Sequence, residues 1–238
     1  MEFVSSPFPV FCFSLMSFER LAPYYRCMEF LLARNKLQRC RTAFLGKDTH
    51  FKDILVLGEG NGRFLLECRR QLKTARIVCV DSSTRMLSLA QARLRRHQLD
   101  LEGIQFIHAN ALEWAPPRHA FDAVVTHFFL DCFRADQLAP LIAVLAEAAK
   151  SNAIWLLADF HVPSSGFLRH RAQLIHQAMY LFFRAMCHLP ARALTPPDEF
   201  LRGQGFTLKD RRISEWGLLH SDRWVRQKRE DDVASQRA

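Results

Sequence analysis

Residues 53–64 read Asp-Ile-Leu-Val-Leu-Gly-Glu-Gly-Asn-Gly-Arg-Phe. Ile54, Leu55, Val56 and Leu57 form the unbroken apolar run of a strand covered on both faces. The run leads into Gly58-x-Gly60-x-Gly62, and Phe64, Leu65 and Cys68 follow at helical spacing. A strand, a glycine turn and a helix in that order bring bare backbone N–H groups and a helix N-terminus up to a ligand. Nineteen residues past Gly62, Asp81 ends a second apolar run, Arg76-Ile77-Val78-Cys79-Val80. A carboxylate there can accept from both hydroxyls of a ribose. The spacing argues against a nicotinamide dinucleotide, because the third glycine of that fingerprint would fall at Arg63.

Outward from this stretch the pattern alternates. Strands are expected at 53–57, 76–81, 104–108, 121–126 and 153–159, and helices at 61–73, 83–97 and 134–150. Ser83 is a candidate N-cap, and Pro116-Pro117 a turn. Alternating strands and helices imply a parallel sheet wound by right-handed crossovers. Helices are also expected at 17–34, at 36–46 ending on Gly46, and at 165–189, with Leu168, Ile175, Met179, Phe182 and Met186 on one face. After a short helix at 197–203, strands 206–214 and 217–226 are too close for anything but a hairpin, so the sheet gains an antiparallel strand.

The bulk numbers narrow the class. The 238 residues are 49% apolar, enough for one α/β domain with a sizeable core. No apolar run approaches the roughly 18 residues that cross a bilayer. The seven cysteines are scattered with no Cys-x-x-Cys pair, which reads as reduced thiols in a cytoplasmic protein. No metal site is expected. The net charge of +9 is spread over many helices, with clusters at Arg34, Lys36, Arg39 and Arg41, at Arg69, Arg70 and Lys73, and at Arg223, Arg226, Lys228 and Arg229. With no aromatic-interleaved basic motif, solvated helix faces are expected and a nucleic-acid partner is not. A peripheral contact with an anionic membrane stays open, as does an acidic substrate.

The chain resembles the class I S-adenosylmethionine-dependent methyltransferases. The resemblance covers about residues 17–226. It rests on the glycine loop, on Asp81, and on the run Asp81-Ser82-Ser83-Thr84-Arg85-Met86-Leu87-Ser88-Leu89-Ala90. It is carried further by Asn110-Ala111 after the third strand, Phe121-Asp122-Ala123-Val124-Val125 in the fourth, and Gly205-Phe206 before the sixth. It implies a doubly wound, Rossmann-like, seven-stranded, mostly parallel α/β sheet with a terminal antiparallel hairpin strand, N-terminal helices and a helical insertion after strand five. Residues 1–16 read as an extension before a start at Met16 or as a membrane-surface or packing arm. Residues 17–46 and 164–204 read as helical lids, 53–159 as the cofactor core, 206–226 as the hairpin and 227–238 as a charged tail.

The resemblance implies S-adenosyl-L-methionine as cofactor, with Gly58, Glu59, Gly60, Gly62, Asp81, Ser82, Met86, Asn110, Ala111 and Thr126 as its binding set. Asp81 would hold the ribose, Met86 or Leu87 an adenine face, and Asn110 the exocyclic amine through its side-chain oxygen. Val56 stands where the family usually has an acid near the cofactor's ammonium group, so Glu59 is the candidate to replace that charge. In an open α/β sheet the carboxyl ends of the strands line the crevice, which makes His127, Asp131 and His161 the candidate bases. Tyr24, Tyr25, Met28, Met179, Phe182 and Phe183 are candidate lining for a small, apolar or lipid-like acceptor, and the entry Phe-Glu-Arg-Leu-Ala-Pro-Tyr-Tyr (18–25) resembles that of quinone-type methyltransferases. A non-catalytic S-adenosylmethionine-binding protein acting through a partner is the alternative. Neither the acceptor nor the oligomeric state follows from the residues.

Overall fold

The computed structural model describes residues 35–46, 50–187 and 191–226. The expected helix 17–34, with Tyr24, Tyr25 and Met28, the segment 1–16 and the tail 227–238 lie outside the described residues. A short helix α1 (Lys36–Arg41) precedes β1 (Asp53–Leu57), α2 (Arg63–Gln71), β2 (Arg76–Asp81), α3 (Thr84–Arg96) and β3 (Ile104–His108). Next come β4 (Phe121–His127), a 3-10 turn (Leu130–Cys132), α4 (Ala135–Ala148) and β5 (Ala149–Phe160). The chain closes with α5 (Gly166–Cys187), α6 (Asp198–Gly203), β6 (Phe206–Ser214) and β7 (Leu219–Arg226).

The seven strands form one sheet in the order β3-β2-β1-β4-β5-β7-β6. The first five are mutually parallel, and β7 is antiparallel to both β5 and β6. The fold read from the sequence is therefore present, hairpin included. Successive residues of β1 feed opposite cores. Leu55 and Leu57 pack with α4, Trp155, Phe206 and Trp224, whereas Ile54 and Val56 pack with Phe64, Leu65, Leu87 and Leu94 of α2 and α3. Burial on both faces explains why these strands read as continuous apolar runs. Ser83 caps α3 as expected, its Oγ accepting from Met86 N–H at 3.2 Å.

Two expectations need correction. Arg41, Arg69 and Arg226 do not lie on solvated faces but are buried. Arg69 donates to the carbonyls of Lys73 and Glu102, and Arg226 to those of Ala146 and Ala149, each tying off chain ends that a helix or strand leaves unpaired. Second, the buried face of α5 is that of Ala172, His176 and Tyr180, not that of Leu168 and Phe182, which are exposed. The helix is apolar around most of its circumference, so periodicity alone misassigns its inner face.

The hairpin is fastened by Asp222, whose side chain is fully buried. Arg211 donates to both its oxygens, at 2.8 and 2.6 Å, and His220 Nδ1 and Trp224 Nε1 donate at 3.1 and 3.2 Å. These donors hold the Asp222 carboxyl below its ordinary range against the opposing effect of burial.

Candidate functional site

The order of strands reverses between β1 and β4, and the carboxyl ends of both open on one edge of the sheet. That switch point is where an open α/β sheet forms its crevice. Gly58, Gly60 and Gly62 all take left-handed φ, at +63, +65 and +80°. The demands on them differ. A Cβ on Gly58 would stand 2.3 Å from Phe129 Cδ2, and one on Gly62 2.6 Å from Ala90 Cα, whereas one on Gly60 would meet nothing within 4 Å. Gly58 and Gly62 let the loop close on β4 and α3, and Gly60 presents open backbone. Phe128, itself at φ +51°, makes the sharp turn after β4 that lays Phe129 over Gly58.

Asp81 ends β2 beside this loop. Its Oδ2 accepts from Gly60 N–H at 3.0 Å and its Oδ1 from Ser83 N–H at 2.9 Å. Glu59 is half-buried, and its Oε1 accepts from the N–H groups of Phe64 and Leu65, capping the positive end of α2. Burial pushes its carboxyl up to about 7 even against those two bonds and the charge of Arg41. Ser82 follows Asp81, and its carbonyl accepts from His108 Nε2 at 3.0 Å. Met86 is buried but belongs to neither main core cluster, whereas Leu87 packs inside the second. Asn110 stands half-buried beyond β3, with Oδ1 accepting from Leu112 N–H and Nδ2 donating to Glu113, and Ala111 beside it is half-buried. The Thr126 hydroxyl accepts from Trp155 Nε1 at 2.8 Å inside the core, so that side chain faces away from the loop.

The candidate bases fall into two settings. His127 is buried edge-on against Phe64, with ring centroids 4.6 Å apart; its Nδ1 has no partner, and burial and nearby Arg41 depress it to about 3. Asp131 and His161 lie with the groups under α5. The Tyr180 hydroxyl donates to the Asp131 carbonyl, and the His176 ring packs against Phe160. Burial raises the Asp131 carboxyl to about 6 and moves that of Asp159 well above its ordinary value. His161 Nδ1 lies 2.9 Å from the Gly217 carbonyl. A carbonyl only accepts, so Nδ1 carries a proton, and in the neutral ring the lone pair is on Nε2.

Sequence reasoning missed three groups. Arg41 is buried with its guanidinium 5.1 Å from the Phe128 ring centroid and within electrostatic reach of Glu59 and His127. Asp159 has an Oδ2 with no partner, and His176 has two unpartnered ring nitrogens. Nothing local in the sequence marks Arg41 or His176. Asp159 carried a signal, its position at a strand's carboxyl end beside His161. The grooves of about 760 and 320 Å³ around Arg76, Lys150 and His119 open at the opposite, amino-terminal edge and are remote from this chemistry.

Comparison with known proteins decides among nucleotide folds. A methyltransferase domain model matches residues 54–152, from β1 into β5. Residues 54–152 are similar to a methyltransferase domain, and the chain has the class I methyltransferase fold. The fold is that of the methyltransferase SibL (TM-score 0.65, 18% identity, 86% of this chain and 58% of SibL). It is likewise that of an O-methyltransferase family 2 protein from Planctomyces limnophilus in complex with apigenin (0.67, 14%, 86% and 61%). The N-methyltransferase NodS from Bradyrhizobium japonicum WM9, in complex with S-adenosyl-l-homocysteine, gives 0.57, 14%, 80% and 84%. The chain thus spans about three-fifths of the length of the first two. No curated protein matches it. The cofactor of the family is S-adenosylmethionine. An open glycine backbone beside an acid at the end of β2 fits such a nucleoside, and among the described residues no group of ligands could hold a metal ion.

Proposed function

We propose that this methyltransferase moves a methyl group from S-adenosylmethionine to a small, apolar or lipid-like acceptor. The observation that carries the reading is the bond between Asp81 Oδ2 and Gly60 N–H, which locks a ribose-type acid to an open glycine turn. When bound, the cofactor supplies an electrophilic methyl group on sulfur. In this reading Asp81 takes the ribose hydroxyls and Met86 covers the adenine. Ser82, Asn110 and Ala111 line the base, Gly58 and Gly62 shape the loop, and Glu59 with Arg41 faces the cofactor's amino-acid end. Glu59 reaches that end only with the charge its helix cap leaves it. Thr126 contributes backbone alone, because its hydroxyl is engaged.

Displacement at a sulfonium methyl needs orientation, dryness and, for a protonated acceptor, a base. His161 has the geometry for that base, since Gly217 fixes its tautomer and it stays partly exposed. Asp131, beside Asp159, orients or takes up the proton, and His127 stays neutral as wall. Phe128, Phe160, Met179 and Phe183 exclude water, with α5 as cover. The described cysteines, Cys40, Cys68, Cys79 and Cys132, are all free, which suits a cytoplasmic setting.

The test is incubation of the purified chain with methyl-labelled S-adenosylmethionine and a metabolite extract. Label should enter a small organic-soluble product, and less of it with His161→Gln. Label confined to macromolecules, or no transfer despite tight S-adenosylhomocysteine binding, overturns the reading.

A further inference from the structure

Among the described residues three acids are buried: Asp131, Asp159 and Asp222. Asp222 is tied to Arg211. Asp131, in the turn after β4, and Asp159, in the end of β5, lie within electrostatic reach of each other, and neither has an ion-pair partner among the described residues. The Phe160 N–H, 2.8 Å from Asp159 Oδ1, and the Asp131 N–H favour the charged form of Asp159, but its Oδ2 meets no donor. Asp131 Oδ1 has the weak Cys132 thiol donor at 3.7 Å.

A second observation comes from the helix above them. His176, on the inner face of α5 and only 4% exposed, has no partner for either ring nitrogen. Its ring lies 5.4 Å from that of Phe160, the residue after Asp159, and one helical turn further Tyr180 bonds the Asp131 carbonyl. Helix α5 thus lays His176 over the strand ends that carry the two acids. Burial keeps this imidazole neutral, so one nitrogen carries a lone pair. Buried polar atoms without partners cost stability, and their gathering at one strand edge marks a place where a bound molecule supplies the partners.

The charge of that molecule follows from the residues. An acidic ligand would be repelled by the carboxyl pair, and Asp222 adds to the same field. An alcohol brings one donor and no charge. An ammonium group brings a positive charge and several N–H donors, enough for Asp159 Oδ2, the Asp131 carboxyl and the His176 lone pair together. Phe128, Phe160 and His161, at the same strand ends, are partly exposed and give an apolar amine its way in. Ring faces there also favour a cation.

We propose that the acceptor is a small apolar amine whose nitrogen is held by Asp159 with Asp131 and His176. This rests on the methyl-transfer reading for the fate of the amine but not for its binding. In the transfer step the ammonium gives one proton to His161 Nε2, and the freed nitrogen lone pair attacks the methyl carbon. The carbon–sulfur bond breaks and its electron pair stays on sulfur. The amine then leaves as an N-methylammonium ion, and the cofactor as S-adenosylhomocysteine.

The test is calorimetry on the full chain at pH 8 with S-adenosylhomocysteine present, using 2-phenylethylamine and a series of straight-chain primary amines, each against the alcohol of the same skeleton. At least one amine should bind tenfold or more tighter than its alcohol, and Asp159→Asn should remove at least nine-tenths of that preference. Asp159→Asn should melt within about 2 °C of the wild type, because no cation pairs with this carboxyl. Asp131→Asn and His176→Phe should each weaken amine binding severalfold, and they carry the test if Asp159→Asn does not fold. Equal affinity for every amine and its alcohol overturns the proposal and leaves these polar atoms to water. Amine preference that survives all three substitutions also overturns it. The labelled product formed from a metabolite extract should pass into organic solvent at pH 11 and back into water at pH 3. A product that stays organic at both keeps methyl transfer and overturns the amine. Amine preference without any label transfer keeps the site and overturns the methyl-transfer reading.

Discussion

Replacing Gly58 by alanine separates the two roles of the glycine loop. At φ +63° an L residue costs about 1–2 kcal/mol. The new Cβ would stand 2.3 Å from Phe129 Cδ2, with Cγ and Cε2 at 3.1 and 3.2 Å, so it meets the flank of a ring and not a flexible tip. Phe129 cannot swing freely, because it packs edge-on against Phe133 at 5.0 Å and follows Phe128 in its left-handed turn. Overpacking of this kind costs about 1–3 kcal/mol. Gly58→Ala should thus lose about 2–5 kcal/mol in urea unfolding, or roughly 4–20 °C in Tm for a chain of this size. Gly60→Ala has the same backbone cost and no clash, so it should lose only about 1–2 kcal/mol. Yet its methyl enters the open side of the loop, and S-adenosylhomocysteine affinity by calorimetry should fall at least tenfold, about 1.4 kcal/mol. Gly60→Ala with wild-type affinity, or a Gly58→Ala chain no less stable than Gly60→Ala, would refute the division of roles.

Other expectations follow from the charges. Glu59 is held above its unfolded value, at about 7, so its contribution to stability is greatest below the ordinary glutamate range and is lost as pH rises through 7. Glu59→Gln, which keeps the acceptor for Phe64 and Leu65, should therefore gain on the wild type by about 1 kcal/mol between acid pH and pH 8 in parallel denaturant titrations, the partial exposure limiting the gain. Asp222 is shifted the other way: its stabilisation is present above the unfolded aspartate value and lost as pH falls through its lower folded one. Asp222→Asn should cost about 3 kcal/mol at pH 7, since it breaks a buried pair with Arg211, and progressively less as pH falls below the ordinary aspartate range. His161→Gln should lower kcat for the labelled product about 100-fold while leaving S-adenosylhomocysteine affinity intact, and an unchanged rate would remove His161 from the chemistry.

Local signals carried most of the fold. The apolar run of β1, the Ser83 cap and the short link between β6 and β7 each depend on neighbours within a few residues, so they could be read directly. The lid could not be read as well. In α5 the outer face is as apolar as the inner, and what turns His176 and Tyr180 inward is the Asp131 carbonyl and the Phe160 ring, groups on other elements. The same holds in the site. Gly58 and Asp81 announce themselves by spacing. Arg41 reads as one more surface cation in a basic helix until the fold stacks it on Phe128, some eighty-seven residues away. Thr126 stands at the right strand end, but Trp155 on the neighbouring strand claims its hydroxyl. Such pairings exist only after the sheet has formed.

The most direct test of the central claim is a crystal structure of the full chain soaked with S-adenosylhomocysteine. The nucleoside is expected across the switch point, its ribose hydroxyls on Asp81 and its amino-acid portion along Gly58–Gly62. A ligand bound elsewhere, or an empty crevice that instead admits a nicotinamide nucleotide, would contradict the account.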